Sequence, residues 1–264
     1  MKNVLLLCGA VTLALAAACG GGQPTTPTPI VVTPAPPPAP APPPVPPPVL
    51  GATRILAFGD SMTAGTVSAP LPTSLFALLD AGLPASYPFK LQTLVTSRYT
   101  GQAIVVLNAG FPGEFATDSK TSTRFSAALS EGKPDLLLLM EGANDLNGVT
   151  PSATTTVNAM EEMVKEARRR NIAVMLATLP PQRPGAGSKA NPPALFSRYN
   201  SELQTMAAKK NTEFGNVSVV DVNTLFPLSL IGQDGLHPTD AGYSKLAEIF
   251  LDAIRAKYEK PQLP

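Results

Sequence analysis

The chain has 264 residues, with 20 basic and 19 acidic side chains and a single histidine. This near-neutral balance argues against a nucleic-acid partner, because nucleic-acid binding calls for a basic surface. One histidine and two cysteines also leave no ligand set for a zinc site, so no metal is expected.

The first 18 residues have the pattern of a secretory signal. Lys2 supplies a positive start, and residues 4–18 are almost wholly apolar and end in small residues. A membrane-spanning helix is the alternative, but a span needs ~20 apolar residues. The glycines that follow Cys19 cut the run short of that length. We therefore predict a signal peptide over residues 1–18 and an exported protein.

Cys19, directly after the small residues, resembles the lipidated cysteine of bacterial lipoproteins. In that family this residue becomes the acylated start of the mature protein; an ordinary signal with an incidental cysteine is the alternative. Cys8 leaves with the signal, so Cys19 is the only cysteine of the mature chain and no internal disulfide can form. Gly20 at the next position is similar to lipoproteins of the outer membrane. The resemblance implies a lipid anchor in the bacterial outer membrane, on its periplasmic or surface face.

Residues 19–50 are a predicted tether. Fourteen prolines and no charged residue lie between residues 24 and 48, a composition that favours polyproline II and cannot build a core. At ~3.1 Å per residue the segment reaches up to roughly 75 Å. A proline-rich ligand for a partner domain is the alternative. Residues 51–264 fit one domain, and the sequence does not reveal its oligomeric state.

Short apolar runs alternate with longer amphipathic ones along this domain. The predicted strands are residues 54–58, 103–107, 135–140, 172–178 and 217–222. The predicted helices are residues 89–99, 119–130, 153–170, 194–210 and 240–257. The strand runs are continuously apolar, as expected for strands covered on both faces. The alternation predicts an α/β fold, a three-layer α/β/α sandwich around a five-stranded parallel sheet.

Polar segments follow four of the strands, at the sheet edge where ligands gather in such folds. Gly59-Asp60-Ser61 closes the first strand, residues 108–113 follow the second and residues 142–145 the third. Residues 234–237 follow the fifth strand and precede the last helix. We therefore expect four loops to converge. Serine needs a base to become a nucleophile, so a Ser-His mechanism in this chain must use His237.

In this order, the four segments resemble the SGNH branch of the GDSL hydrolases, which are esterases and lipases of flavodoxin-like fold. The resemblance covers residues 53–257. Carried over by position, it implies Ser61 as the nucleophile and His237 as the base. Asp234 would hold the imidazole in the required tautomer. The alternatives are a helix cap for Ser61 and a structural role for His237.

The same resemblance implies an oxyanion hole and no cofactor. Its donors would be the backbone N–H of Ser61, the backbone N–H of Gly113 and the side chain of Asn144. Gly110 is the alternative to Gly113, and a turn residue is the alternative role for Asn144.

Other polar residues near these loops receive weaker predictions. Asp60 and Asp145 are predicted to cap and brace the loops, and Glu114 and Glu141 have no matched role. The polar loop of residues 180–193, after the fourth predicted strand, is either a plain connection or lines the acyl or alcohol side of the substrate cleft. Arg183, in that loop, has no assigned role.

The predicted function is hydrolysis of carboxylic esters through an acyl-enzyme on Ser61. Acetylated glycans, lysophospholipids and short-chain acyl esters are the candidate substrates. A non-catalytic acyl- or glycan-binding envelope lipoprotein is one alternative. Acyl transfer to an alcohol acceptor by the same residues is another.

Overall fold

The apolar runs of the sequence become the strands of one sheet. A computed structural model describes residues 47–66, the backbone of residues 79–80 and residues 85–260. The predicted signal, Cys19 and most of the predicted tether lie outside the described residues. In chain order the described strands are β1 (Val49–Leu50), β2 (Arg54–Gly59), β3 (Leu79–Asp80), β4 (Val105–Gly110), β5 (Leu136–Met140), β6 (Ala173–Ala177), β7 (Val217–Val220) and β8 (Glu259–Lys260).

The main sheet has the order β3-β4-β2-β5-β6-β7. Its five longer strands are parallel, as predicted. The centre of the sheet is fully buried: every residue of β5 is inaccessible to solvent. The two-residue strand β3 adds an antiparallel edge beside β4. Two residues show no alternation, so this edge left no pattern in the sequence.

The helices are α1 (Ser61–Ala64), α2 (Tyr87–Arg98), α3 (Ser119–Gly132), α4 (Ala153–Arg169), α5 (Pro193–Phe214), α6 (Val222–Leu225) and α7 (Asp240–Tyr258). The helix α2 packs against α7, whereas α4 contacts both α3 and α5. With right-handed crossovers, this strand order places the two groups on opposite faces of the sheet. The predicted three-layer α/β/α architecture is confirmed. None of the helices in the described part of the chain is both long and apolar enough to cross a membrane.

The strand predicted at residues 103–107 extends further at its carboxyl end than the sequence indicated. The prediction ended it at residue 107, but β4 continues through Asn108 to Gly110, which pairs with Gly59 at the end of β2. A side chain at Gly110 would lie 2.1 Å from the backbone nitrogen of Ala64. The polar Asn108 and the two glycines therefore belong to tightly packed strand ends, where composition alone suggests a loop.

The two ends of the described chain meet beside the sheet. Strand β1 pairs antiparallel with β8, and Leu50 is buried. The Gln102 side chain accepts a hydrogen bond from the Leu50 N–H at 2.5 Å and donates one to the Leu50 carbonyl at 3.0 Å. Val49 and Leu50, directly before residue 51, are therefore held against the end of the last helix and the residues that follow it.

Candidate active site

A sharp turn at the end of β2 presents Ser61. Gly59 is required there because a Cβ would lie 1.9 Å from the Met140 carbonyl oxygen. The Asp60 carboxylate caps the short helix α1 by accepting the Met62 N–H at 2.9 Å. Ser61 is the first residue of α1 and is 7% exposed. Its hydroxyl therefore sits on a rigid element at the carboxyl edge of the sheet.

Three of the predicted residues form a continuous hydrogen-bonded chain. The Oγ of Ser61 lies 2.8 Å from Nε2 of His237, although 176 positions separate them in sequence. The other ring nitrogen, Nδ1, lies 2.6 Å from Oδ2 of Asp234. His237 is only 6% exposed, so both bonds are largely shielded from water.

The environment of Asp234 fixes the tautomer of the imidazole. Burial raises the pKa of its carboxyl group, but hydrogen bonds from the His237 ring and from the N–H groups of His237 and Leu236 outweigh that effect. The net pKa is below its ordinary value. An ionised carboxylate only accepts hydrogen bonds, so Nδ1 of His237 carries the proton. The lone pair of Nε2 then faces the Ser61 hydroxyl, the geometry that general-base catalysis needs.

The two candidate glycines differ in their surroundings. Gly113 has a φ of +80°, and no heavy atom lies within 4 Å of the position where a Cβ would stand. Gly110, by contrast, is packed directly against the backbone of α1. The side-chain amide of Asn144 donates to the Glu114 carbonyl at 2.7 Å, next to Gly113 in the chain. One further N–H of that amide is left for another acceptor. Gly113 therefore has open space beside it, whereas the Gly110 N–H already donates to Oδ1 of Asn108 at 2.9 Å.

Asp145 braces the loop that contains Gly113. Its Oδ2 accepts the Ala116 N–H at 2.8 Å, and Oδ1 accepts the N–H and hydroxyl of Thr117 at 3.0 and 2.7 Å. Asp145 is 6% exposed, so these are shielded, charge-assisted bonds. They agree with the predicted bracing role.

Arg124 provides a second brace for this loop, which the sequence did not indicate. The guanidinium of Arg124 in α3 donates to both carboxylate oxygens of Glu114 and to the Ala109 carbonyl. It also lies 4.0 Å from the centre of the Phe58 ring. Glu114 thus contributes to the site through its backbone carbonyl and through this ion pair. No local motif marks Arg124, since its partners are 10 and 15 residues away in sequence.

Two carboxyl groups close to Ser61 in the chain or the sheet, those of Asp60 and Glu141, are fully buried. Burial raises the pKa of Asp60 to about 7, although hydrogen bonds from the backbone N–H groups of Met62 and Ala143 lower it. Burial, reinforced by the charge of Asp60, also raises the pKa of Glu141. The Tyr199 hydroxyl donates to the Glu141 carbonyl at 2.6 Å, so this residue also anchors α5. Near neutral pH the folded protein therefore retains protons here that an unfolded chain would release.

The predicted convergence of loops is observed for all four segments. The end of β2 hydrogen-bonds to the start of the Gly113 loop through Phe111 N–H and the Gly59 carbonyl, at 2.8 Å. In the described ranges, no group of three or more His, Cys, Asp and Glu side chains is arranged to hold a metal ion.

Comparison with known proteins identifies the family. The model of the GDSL-like lipase/acylhydrolase family matches residues 57–245, more than half of the chain. The chain belongs to this family. The match spans the turn at Ser61, the loops of Gly113 and Asn144, and the segment with His237, so the family predicted from the four motifs is confirmed.

Relatives of this family member share its fold across most of the folded unit. The crystal structure of a lipase/acylhydrolase from Enterococcus faecalis is 25% identical, with a TM-score of 0.60, and covers 80% of this chain and 98% of its own. An acetylxylan esterase from Geobacillus stearothermophilus is 21% identical, with a TM-score of 0.58, and covers 78% and 95%. A multidomain esterase from Ruminococcus flavefaciens is 26% identical over 157 residues. Those residues are 59% of this chain but only 20% of that curated relative.

Proposed function

We propose that this protein is a serine esterase that hydrolyses carboxylic esters. The observation that carries the proposal is the chain of hydrogen bonds from the Ser61 hydroxyl through His237 to Asp234, at 2.8 and 2.6 Å. His237 takes the Ser61 proton as Oγ attacks the ester carbonyl, and the resulting imidazolium is stabilised by the Asp234 carboxylate. The imidazolium then protonates the departing alcohol, leaving an acyl-enzyme on Ser61.

Water completes the cycle on the same residues. His237 removes a proton from a water molecule that attacks the acyl-enzyme, and then returns a proton to Ser61 as the acid leaves. Both steps place negative charge on the former carbonyl oxygen. The proposed donors to that oxygen are the N–H of Ser61, the N–H of Gly113 and the amide of Asn144. The Ser61 N–H suits this role because the first N–H groups of a helix have no acceptor within it.

The proposed substrates are small acyl esters, with O-acetyl groups on glycans as the first class to test. The support comes from the relatives, which include an acetylxylan esterase and a multidomain esterase. Phe111 and Phe115 flank Gly113 and are 38% and 40% exposed, so they offer apolar contact to the acyl or alcohol part of a substrate.

A matched set of variants tests the chemistry. The full chain is assayed on nitrophenyl esters of increasing acyl length and on acetylated xylan, beside Ser61→Ala, His237→Ala and the control Lys209→Ala, at an exposed position of α5. We expect turnover to fall by several orders of magnitude in the first two variants. A preference for acetyl esters supports the glycan class, and a preference for long chains favours lysophospholipids. Near-wild-type turnover by a folded His237→Ala protein would refute the mechanism.

We also propose that the protein is exported and lipidated at Cys19. The predicted tether of residues 19–50 would then hold the esterase on the bacterial outer membrane. The support is the small-residue end of the apolar segment and the proline-rich composition that follows. Cys19→Ser should move the protein from the membrane fraction to the soluble fraction while leaving specific activity unchanged. Retention of that variant in the membrane would contradict lipidation.

A further inference from the structure

The segment between β6 and α5 closes on itself. The side-chain amide of Gln182 donates to Oδ1 of Asn191 at 2.8 Å, and the Asn191 N–H donates back to Oε1 of Gln182 at 2.6 Å. These two bonds join the first and last residues of the segment 182–191, which we call the strut loop. Its ends are therefore fixed even though it contains no helix or strand.

One side of the strut loop holds the segment that contains Asn144. The Asn191 amide donates to the Ala143 carbonyl at 2.7 Å, and the Asn147 amide donates to the Lys189 carbonyl at 2.8 Å. Asn191 is only 2% exposed, so water does not compete for its bond to the residue that precedes Asn144.

The other side holds the segment 231–238, which contains Asp234 and His237 and which we call the acid–base loop. The Arg183 guanidinium donates to the Ile231 carbonyl at 2.5 Å and also to the Gly232 carbonyl. The Arg183 N–H donates to the Gly235 carbonyl at 2.9 Å. Both bonds come from the same terminal nitrogen, Nη2, whose two N–H groups serve the two adjacent carbonyl oxygens.

Backbone contacts bring the two loops still closer. The Lys189 N–H donates to the Asp234 carbonyl at 2.7 Å. Gly235 has a φ of +78°, and a Cβ there would lie 2.1 Å from the Ser188 hydroxyl oxygen and 2.4 Å from the Arg183 carbonyl oxygen. The acid–base loop can approach the strut loop this closely only with glycine at residue 235.

From these contacts we propose that the strut loop sets the position of the acid–base loop relative to Asn144, with Arg183 and Asn191 as positioning residues. This inference rests on the proposed esterase function. Neither residue contacts the reacting atoms; each acts through the backbone that carries a catalytic group. Attack and oxyanion stabilisation need both groups in place at once, and a displacement of about 1 Å can cost 10²-fold in rate.

Three variants of the full chain test the proposal on nitrophenyl acetate: Arg183→Ala, Asn191→Ala and their combination. We expect kcat to fall by about 10- to 100-fold in each single variant, with little change in KM. The double variant should lose little more than the worse single one, because both changes break the same connection between the Asn144 segment and the acid–base loop. Arg198→Ala is the control. Arg198 is exposed on α5, and its side chain pairs with Glu202 and Thr154, neither of which lies in the strut loop or the acid–base loop.

Free guanidinium added to the assay distinguishes a loss of positioning from a loss of folding stability. We expect it to restore part of the kcat of Arg183→Ala without restoring that of Asn191→Ala or shifting the thermal midpoint. If Arg183→Ala does not fold, Arg183→Lys replaces it and should retain only part of kcat, because the ammonium still donates hydrogen bonds but does not reproduce the reach and planar geometry of the guanidinium. Wild-type kcat in the folded Arg183 and Asn191 variants would overturn the proposal. An inactive wild-type protein would instead overturn the proposed function.

Discussion

Replacement of Asp145 by asparagine should separate the bracing of the loop that contains Gly113 from the chemistry proposed for Ser61, His237 and Asp234. The carboxylate accepts three hydrogen bonds, one from Ala116 and two from Thr117. An amide of the same shape keeps one accepting oxygen and turns an NH₂ group toward the other donor. If Oδ1 keeps both Thr117 bonds, the Ala116 N–H is left buried without an acceptor, which costs about 1–3 kcal/mol.

The loss of charge adds to this cost. Hydrogen bonds to charged groups contribute roughly 1 kcal/mol more than neutral ones, so the two surviving bonds also weaken. We expect Asp145→Asn to lower the free energy of unfolding by about 3–5 kcal/mol, which corresponds to a fall of about 6–20 °C in the thermal midpoint. Because Gly113 lies in the released loop, kcat should fall by about 10-fold or more.

Urea denaturation and esterase kinetics on the same preparations test these values. Asp118→Asn is the matched control, because Asp118 caps α3 by accepting the Lys120 N–H at 2.9 Å and asparagine caps helices equally well. The control should unfold within about 0.5 kcal/mol of wild type. An Asp145→Asn protein as stable and as active as this control would refute the bracing argument.

Further variants test the roles of two glycines and two aspartates. Gly110→Ala should lower the urea midpoint strongly, since its methyl group would meet the backbone of α1. Gly113→Ala should lower the free energy of unfolding by only about 1–2 kcal/mol, because of its positive φ, but should lose activity because the methyl group would occupy the open space where a substrate would approach. Equal stability losses in the two variants would contradict these different roles of the two glycines. Asp60 has a folded pKa of about 7, so its contribution to stability is complete below pH 4 and is lost as the pH rises through 7. Asp60→Asn should flatten that decline in pH-dependent unfolding curves, and an unchanged slope would show that Asp60 does not titrate there. Asp234→Asn should lower kcat by about 10⁴-fold, by analogy with other triads, and a loss of less than 10-fold would remove Asp234 from the mechanism.

The sequence predicted the strands well where burial dictated their composition. The run Leu136–Met140 is uninterrupted and apolar, and it became the centre of the sheet. Prediction failed where tertiary packing decided the structure. Asn108 and Gly110 look like loop residues, but the close approach of α1 requires a glycine at the end of β4. The pairing of β1 with β8 joins residues some 210 positions apart and follows from no local pattern.

The candidate site was predictable to the extent that short motifs carry it. Ser61, Asp234 and His237 occur in recognisable segments, and the structure brings them together. The supporting residues were not predictable in this way. Arg183 and Asn191 hold their partners through backbone carbonyls, which every residue has, so the partner sequence carries no signal. Arg183 stood out only as an isolated charge in a polar loop.

Covalent labelling of the full chain with a fluorophosphonate probe, mapped by mass spectrometry, would show directly whether Ser61 is an activated nucleophile. An activated serine reacts with such a probe, whereas ordinary serine hydroxyls do not compete because they lack an adjacent base. We expect a single adduct on Ser61 that is absent from His237→Ala. If the folded wild-type protein forms no adduct, or if His237→Ala is labelled equally, Ser61 is not activated by His237 and the proposed mechanism is wrong.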